Sequence, residues 1–343
     1  MRRLASAFAV ILYSMLILIP IGLATQRLIL VTGPNPYDWT KSLSENYISQ
    51  NVLEFTLVQA VSSTLLTIII SLPIAWSLGR HRWPFESLIR TVLTLPFVIP
   101  SIIAAMGILT IVGPYGLDIR TNENTWWWTL IISHAWFNMA LIIRFCEPLL
   151  SKLDPALEEQ LRLLPHGRTR ASRLKNLWVP LLLPSVVAAA CMTFVFSFTS
   201  FALVRWITVR DNTLESVMAE VSSSAGIQGY MEPTSDIVMG ASLIQFTILL
   251  TSLWLTSVIQ RDRKAILPQA RPEHVRKPNS RGWLVIVPAL IFAVLPLISV
   301  VIGSFRIRVL GDSGGGFRWG TDGWNQAYHG SFSFAPMSEA ILN

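Results

Sequence analysis

Long apolar runs broken by short polar stretches dominate the chain. They cover roughly 6–24, 53–78, 90–112, 126–149, 180–200, 238–259 and 283–304, and each is close to the ~20 residues that a helix needs to cross ~30 Å of hydrocarbon. Few polar residues interrupt them, so they predict helices rather than barrel strands. The fold expected is all-α: a polytopic helical membrane protein of about seven spans. Pro96-Phe97-Val98-Ile99-Pro100 falls inside the third run and predicts a bend, because proline removes an amide from the helical ladder.

Composition agrees with the pattern. The chain is 52% hydrophobic and only 14% charged, whereas soluble domains carry about a quarter charged residues. The first run has the basic start and apolar centre of a secretory signal, but the spans after it favour a retained first helix. Cys146 and Cys191 both lie inside apolar runs, as packing residues rather than a disulfide framework. A net charge of +7 arranged in this way does not suggest nucleic acid as a partner. The charge sits in alternate gaps instead: Arg2 and Arg3; Arg80, Arg82 and Arg90; the Lys and Arg residues from Lys152 to Lys175; and those from Arg261 to Arg281. By the positive-inside rule the N-terminus and the 150–179 loop are cytoplasmic. The other gaps are outer ones. Trp126, Trp127 and Trp128 suit an interfacial anchor there, and 201–237 is expected as the longest outer loop, with Asp211, Glu215, Glu220, Glu232 and Asp236.

The segment 154–180, DPALEEQLRLLPHGRTRASRLKNLWVP, is the longest polar and basic interruption. Asp154 suits a helix cap, Pro155 the first helical position, and Glu158 and Glu159 the positive end of the dipole. A helix is predicted from about Pro155, with Leu157, Leu161 and Leu164 on one face and Glu158, Glu159 and Arg162 on the other. Pro165-His166-Gly167 breaks it. A second short helix carrying Arg168, Arg170, Arg173 and Lys175 then leads through Trp178-Val179-Pro180 into the next span.

Glu158, Gly167 and Pro180 resemble the signature of the cytoplasmic coupling loop in ABC-importer permeases, with Leu163 and Leu164 where that family carries an alanine pair. TLPFVIPSIIAAMGILTIVGPYG (94–116), SHAWFNMALIIRF (133–145) and FVFSFTSFALV (194–204) extend the likeness to the fused, two-half thiamine and ferric-iron permeases, nearest the thiamine family. The resemblance implies a type I ABC-importer transmembrane domain in a bacterial inner membrane. It implies a first six-span domain over 1–259, a cytoplasmic linker over 260–282, and over 283–343 the first span and outer segment of an incomplete second domain. It implies three protein partners, namely a dimeric ABC ATPase subunit, a periplasmic or extracellular solute-binding protein and a second permease half, with membrane lipid around them. The residues expected to meet the ATPase are Glu158, Glu159, Leu161, Leu164, Gly167, Arg168 and Arg170. Thiamine or its phosphates is the expected solute, with ferric iron or a polyamine as the alternative and an ATP-independent secondary transporter as the rival class.

This chain has no Gly-Lys pair from which to build a phosphate-binding loop, so ATP hydrolysis is expected on another polypeptide. No metal-spaced Cys/His cluster and no hydrolase motif occurs, and no cofactor is expected. The polar residues inside the runs remain. His134 and Asn138 lie one helical turn apart, and with Gln59 and Gln245 they are the candidates for a translocation path. Hydrogen bonding between helices is the plainer role for such side chains.

Overall fold

A backbone in hydrocarbon must satisfy its own amides, and nearly every described segment is accordingly helical. The computed structural model describes residues 2–32, 51–113, 116–117, 123–153, 155–164, 167, 169–208, 212–224, 232–261, 277–309, 316–330 and 336–342. In chain order these form α1 (Arg2–Thr32), α2 (Val52–Arg80), α3 (Glu86–Val98), α4 (Ser101–Val112), α5 (Glu123–Lys152), α6 (Pro155–Leu163), α7 (Arg170–Arg173) and a π-turn (Leu174–Trp178). Then come α8 (Val179–Phe198), α9 (Ala202–Ile207), α10 (Leu214–Ser224), α11 (Glu232–Arg261), α12 (Ser280–Ser304), strands β1 (Arg306–Val309) and β2 (Gly316–Trp319), α13 (Asp322–His329) and α14 (Met337–Leu342).

Among the described residues, five helical stretches are long and apolar enough to cross a membrane: Val52–Arg80, Asn124–Lys152, Arg170–Phe198, Gly240–Ile259 and Ser280–Ser304. The third predicted run is broken. α3 and α4 meet at 98° and make a sixth span if counted as one. Ile99 and Pro100 are extended at the corner, as the residue before a proline tends to be. The first predicted run lies in α1, whose apolar part is Val10–Leu23.

Three expectations change. The helix predicted from Pro180 begins ten residues earlier, at Arg170. It continues through Pro180 because the π-turn sends the Val179 amide to Leu174 O, five residues back, and so widens the turn that the proline ring enters. The expected outer loop 201–237 instead holds α9, α10 and the start of α11. At the head of α10, Thr213 Oγ1 accepts from Ser216 N (3.3 Å) while Ser216 Oγ accepts from Thr213 N (2.7 Å), a reciprocal cap that starts a helix. Lastly, β1 and β2 pair antiparallel, Arg306 opposite Trp319 and Val309 opposite Gly316, where all the other regular elements among the described residues are helical. Asp154, Pro165, His166, Arg168, Asp211 and most of 260–282 lie outside the described residues.

Two compact units emerge, Met1–Val58 with Arg210–Ser252, and Gln59–Val209 with Leu253–Asn343. In the first, Thr56 Oγ1 accepts from Leu214 N (3.1 Å) and Gln245 Nε2 donates to Glu215 Oε2 (2.8 Å). In the second, Ile74, Leu78, Leu93, Met139, Ile142, Leu150, Trp178 and Ile286 are among the buried residues of one apolar core. Gly107 lets α4 meet α12: a Cβ there would run into Pro296 O, and Ser299 Oγ donates to Gly107 O (2.7 Å).

Basic residues from separate parts of the second unit meet at one end. Arg80, at the end of α2, donates to Leu153 O beyond α5 (2.9 Å), and Arg90 near the start of α3 pairs with Glu147 late in α5 (2.7 Å). Trp83 stacks edge-on against Trp283, in the first turn of α12, at 4.9 Å. The ends of α2 and α5 and the starts of α3 and α12 therefore share a side. Between Arg80 and the start of α5 the chain must change sides, so the bent α3–α4 pair carries it across.

Candidate functional site

At that basic end lies the 154–180 segment. α6 begins at Pro155, as proline at the first helical position predicts. After Leu163 the chain closes a tight turn in which Leu164 N donates to Leu161 O (3.1 Å) and Gly167 N to Leu164 O (3.0 Å). Gly167 is buried, and a Cβ on it would run into the carbonyl of Leu161. Glycine is thus required by close approach, not by an unusual φ. Thr169 then caps α7, its Oγ1 accepting from Ser172 N (3.1 Å).

Glu158 does not share the exposed face expected for it. Its side chain is only 16% exposed, and its carboxylate meets three guanidinium groups: Arg162 at 3.1 Å, Arg80 at 3.4 Å and Arg173 at 3.7 Å. Arg80 also lies over the Trp178 ring, 5.0 Å from its centroid, and Trp178 is buried edge-on against Trp76. Arg173 donates to Gly167 O (2.9 Å). The surface falls to other residues. Leu163 is 87% and Leu164 54% exposed, and Glu159 and Arg170 are exposed, while Leu161 is half-buried. Arg80, Arg173 and Trp178 were not among the candidates in the sequence. The signal that could have found Arg80 and Arg173 is a few acidic residues set among many cations at the ends of apolar runs.

The candidate path residues divide between the units. Gln245 belongs to the first, bonded to Glu215. Gln59, His134 and Asn138 belong to the second and are almost wholly buried. Gln59 Nε2 donates to Ser197 O (2.8 Å), Asn138 Nδ2 to Ser197 Oγ (3.1 Å), and Ser63 Oγ lies 3.3 Å from His134 Nδ1. Together they form a polar seam joining α2, α5 and α8. The Gln59 amide can be oriented only one way, since the Ser197 carbonyl only accepts; its Oε1 has no partner among the described residues, nor do Asn138 Oδ1, His134 Nε2 and Thr193 Oγ1. Among the described residues no group of three or more His, Cys, Asp or Glu is placed to hold a metal ion.

The family model described as binding-protein-dependent transport system inner membrane component matches residues 57–264. The sulfate transport system permease protein CysT of Salmonella typhimurium is 27% identical over 160 residues, 44% of this chain and 56% of that protein. The thiamine transport system permease protein ThiP of Brucella abortus is 24% identical over 279 residues, 76% of this chain and 50% of that protein. The molybdenum transport system permease protein ModB of Haemophilus influenzae is 26% identical over 223 residues, 62% of this chain and 95% of that protein. The chain spans about half the length of the sulfate and thiamine relatives that it matches. With well over half of its residues inside the family match, the chain belongs to the inner-membrane components of binding-protein-dependent transport systems.

Proposed function

We propose that the chain is the permease portion of an ATP-driven importer, and that 154–180 couples it to a separate ATPase subunit. The observation that carries this is the pair of exposed leucines, Leu163 and Leu164, at the end of a short helix at the basic end of the second unit. Adjacent apolar side chains turned outward beyond the ends of the spans suit a protein partner, and the positive-inside rule puts that end in the cytoplasm with the ATP. The N-terminus is cytoplasmic on the same rule. Glu159 and Arg170 flank the docking face, Leu161 and Gly167 support it from behind, and Arg168 is kept as a contact on its place in the sequence alone. A dimeric ABC ATPase, a solute-binding protein on the outer side and a second permease half complete the assembly. In the chain itself, 1–259 forms one permease domain, 260–282 a linker, and 283–343 the start of another.

For the solute, thiamine or its phosphates is favoured by the reach of the likeness, since the thiamine relative aligns across 279 residues. An oxyanion is the second reading, favoured by the sulfate and molybdenum relatives at 27% and 26% identity. Two experiments test these points. Leu164→Asp, or Leu163→Asp with it, is expected to lose the ATPase that co-purifies with the wild type; transport in vesicles without ATP would instead make the chain a secondary transporter. The cognate binding protein should rise in melting temperature with thiamine and not with sulfate or molybdate, and the reverse pattern selects the oxyanion.

A further inference from the structure

We infer that Glu158 is a positioning residue that pins the coupling segment to the ends of two spans, rather than a contact for the ATPase; this rests on 154–180 being a coupling segment. A residue that greets a partner needs its charge at the surface. Glu158 is 16% exposed, and both of its oxygens are engaged from within the chain, Oε2 by Arg80 and Oε1 by Arg162 and Arg173. Two of these cations are as enclosed as the carboxylate, Arg80 at 10% and Arg173 at 12%.

Each enclosed cation also holds a second element. Arg80 ends α2, donates to Leu153 O beyond α5 and lies over Trp178 in the π-turn. Arg173 belongs to the helix that continues into α8, and donates to Gly167 O across the turn. The Glu158 carboxylate is therefore a node shared by α6, the end of α2 and the foot of the α7–α8 helix. Arg162 and Arg80 are within hydrogen-bond reach of it, at 3.1 and 3.4 Å, and Arg173 pairs with it at 3.7 Å; ion pairs this enclosed are screened much less than surface ones. A push received on Leu163 and Leu164 reaches α2 and α8 through this node, without relying on the turn at 164–169. Neutralising Glu158 should leave the docking leucines in place and loosen what lies behind them.

The test uses the complex isolated from its own cells and reconstituted in proteoliposomes. Glu158→Gln keeps the shape and removes the charge. The ATPase is expected to stay bound while solute moved per ATP hydrolysed falls by roughly tenfold, within the range of ordinary coupling energies. Arg80→Gln should lose at least as much, since Arg80 also holds Leu153 O and Trp178, the double variant no more than Arg80→Gln alone, and Glu158→Asp should give a partial return. If Glu158→Gln strips off the ATPase, or leaves solute moved per ATP unchanged, Glu158 is not the pin. A second measurement needs no ATPase. Trypsin cleavage between 162 and 175 in native membranes should quicken in both Glu158→Gln and Arg80→Gln, and in the double variant no further than in Arg80→Gln; unchanged cleavage overturns the pin. If no ATPase joins even the wild type, it is the coupling role that fails, and the trypsin result still decides the pin.

Discussion

Gly167 and Gln59 show two different kinds of residue at work. Gly167 is needed for space: the backbone of Leu161 occupies the place of its Cβ. Gly167→Ala should force the turn open, at the ~1–3 kcal/mol typical of overpacking, and loosen ATPase binding in a pull-down even though no contact residue changes. Gln59 stands inside the polar seam. Its Nε2 bond is lost in Gln59→Leu, but so is an Oε1 with no partner among the described residues, and hydrogen bonds between membrane helices average only ~0.6 kcal/mol. The melting temperature in detergent should therefore move little. A large selective loss of transport with unchanged melting would make Gln59 a path residue instead of an inter-helix tie. His134 and Asn138 were already visible as neighbours from their spacing of four. Ser63 and Ser197 stood out only as polar residues inside apolar runs and not as the partners of these two, because a contact between helices leaves no mark in the local pattern of either one.

At the scale of elements, apolar runs alone identified the long helices, and the Pro96–Pro100 pair foretold the corner between α3 and α4. What they could not show is that the helix into the fifth run starts at Arg170. Polar residues and Pro180 hide it, and only the π-turn makes it continuous. The strand pair was missed for the opposite reason. Ile307 and Val309 alternate with Arg306 and Arg308, and aromatic residues alternate likewise in Phe317 and Trp319, but both runs are only four residues long. Helix packing yields a prediction of its own. Gly107→Val places methyl groups where α4 meets Pro296 and Val300 of α12. It should cost ~1–3 kcal/mol or displace α12, read as a lower melting temperature in detergent; an unchanged value would show that α4 and α12 do not approach so closely.

For the whole molecule, charge and packing converge. Basic gaps separated by more than seventy residues of sequence meet at one end of the second unit, where Arg80 touches Leu153 and Trp83 touches Trp283. The alternation of charge along the chain implied this gathering, since positive residues stay on one side of a bilayer. The Glu158 node was not legible, because its three arginines come from three places in the chain. The central claim is that this basic end, with Leu163 and Leu164 outermost, faces the compartment that holds ATP. The most direct measurement is labelling of Leu164→Cys, with Cys146 and Cys191 replaced by alanine, using a maleimide that cannot cross membranes. The account predicts labelling in inverted inner-membrane vesicles, reduced when the ATPase is bound, and none in intact spheroplasts. Labelling from outside intact spheroplasts would contradict it.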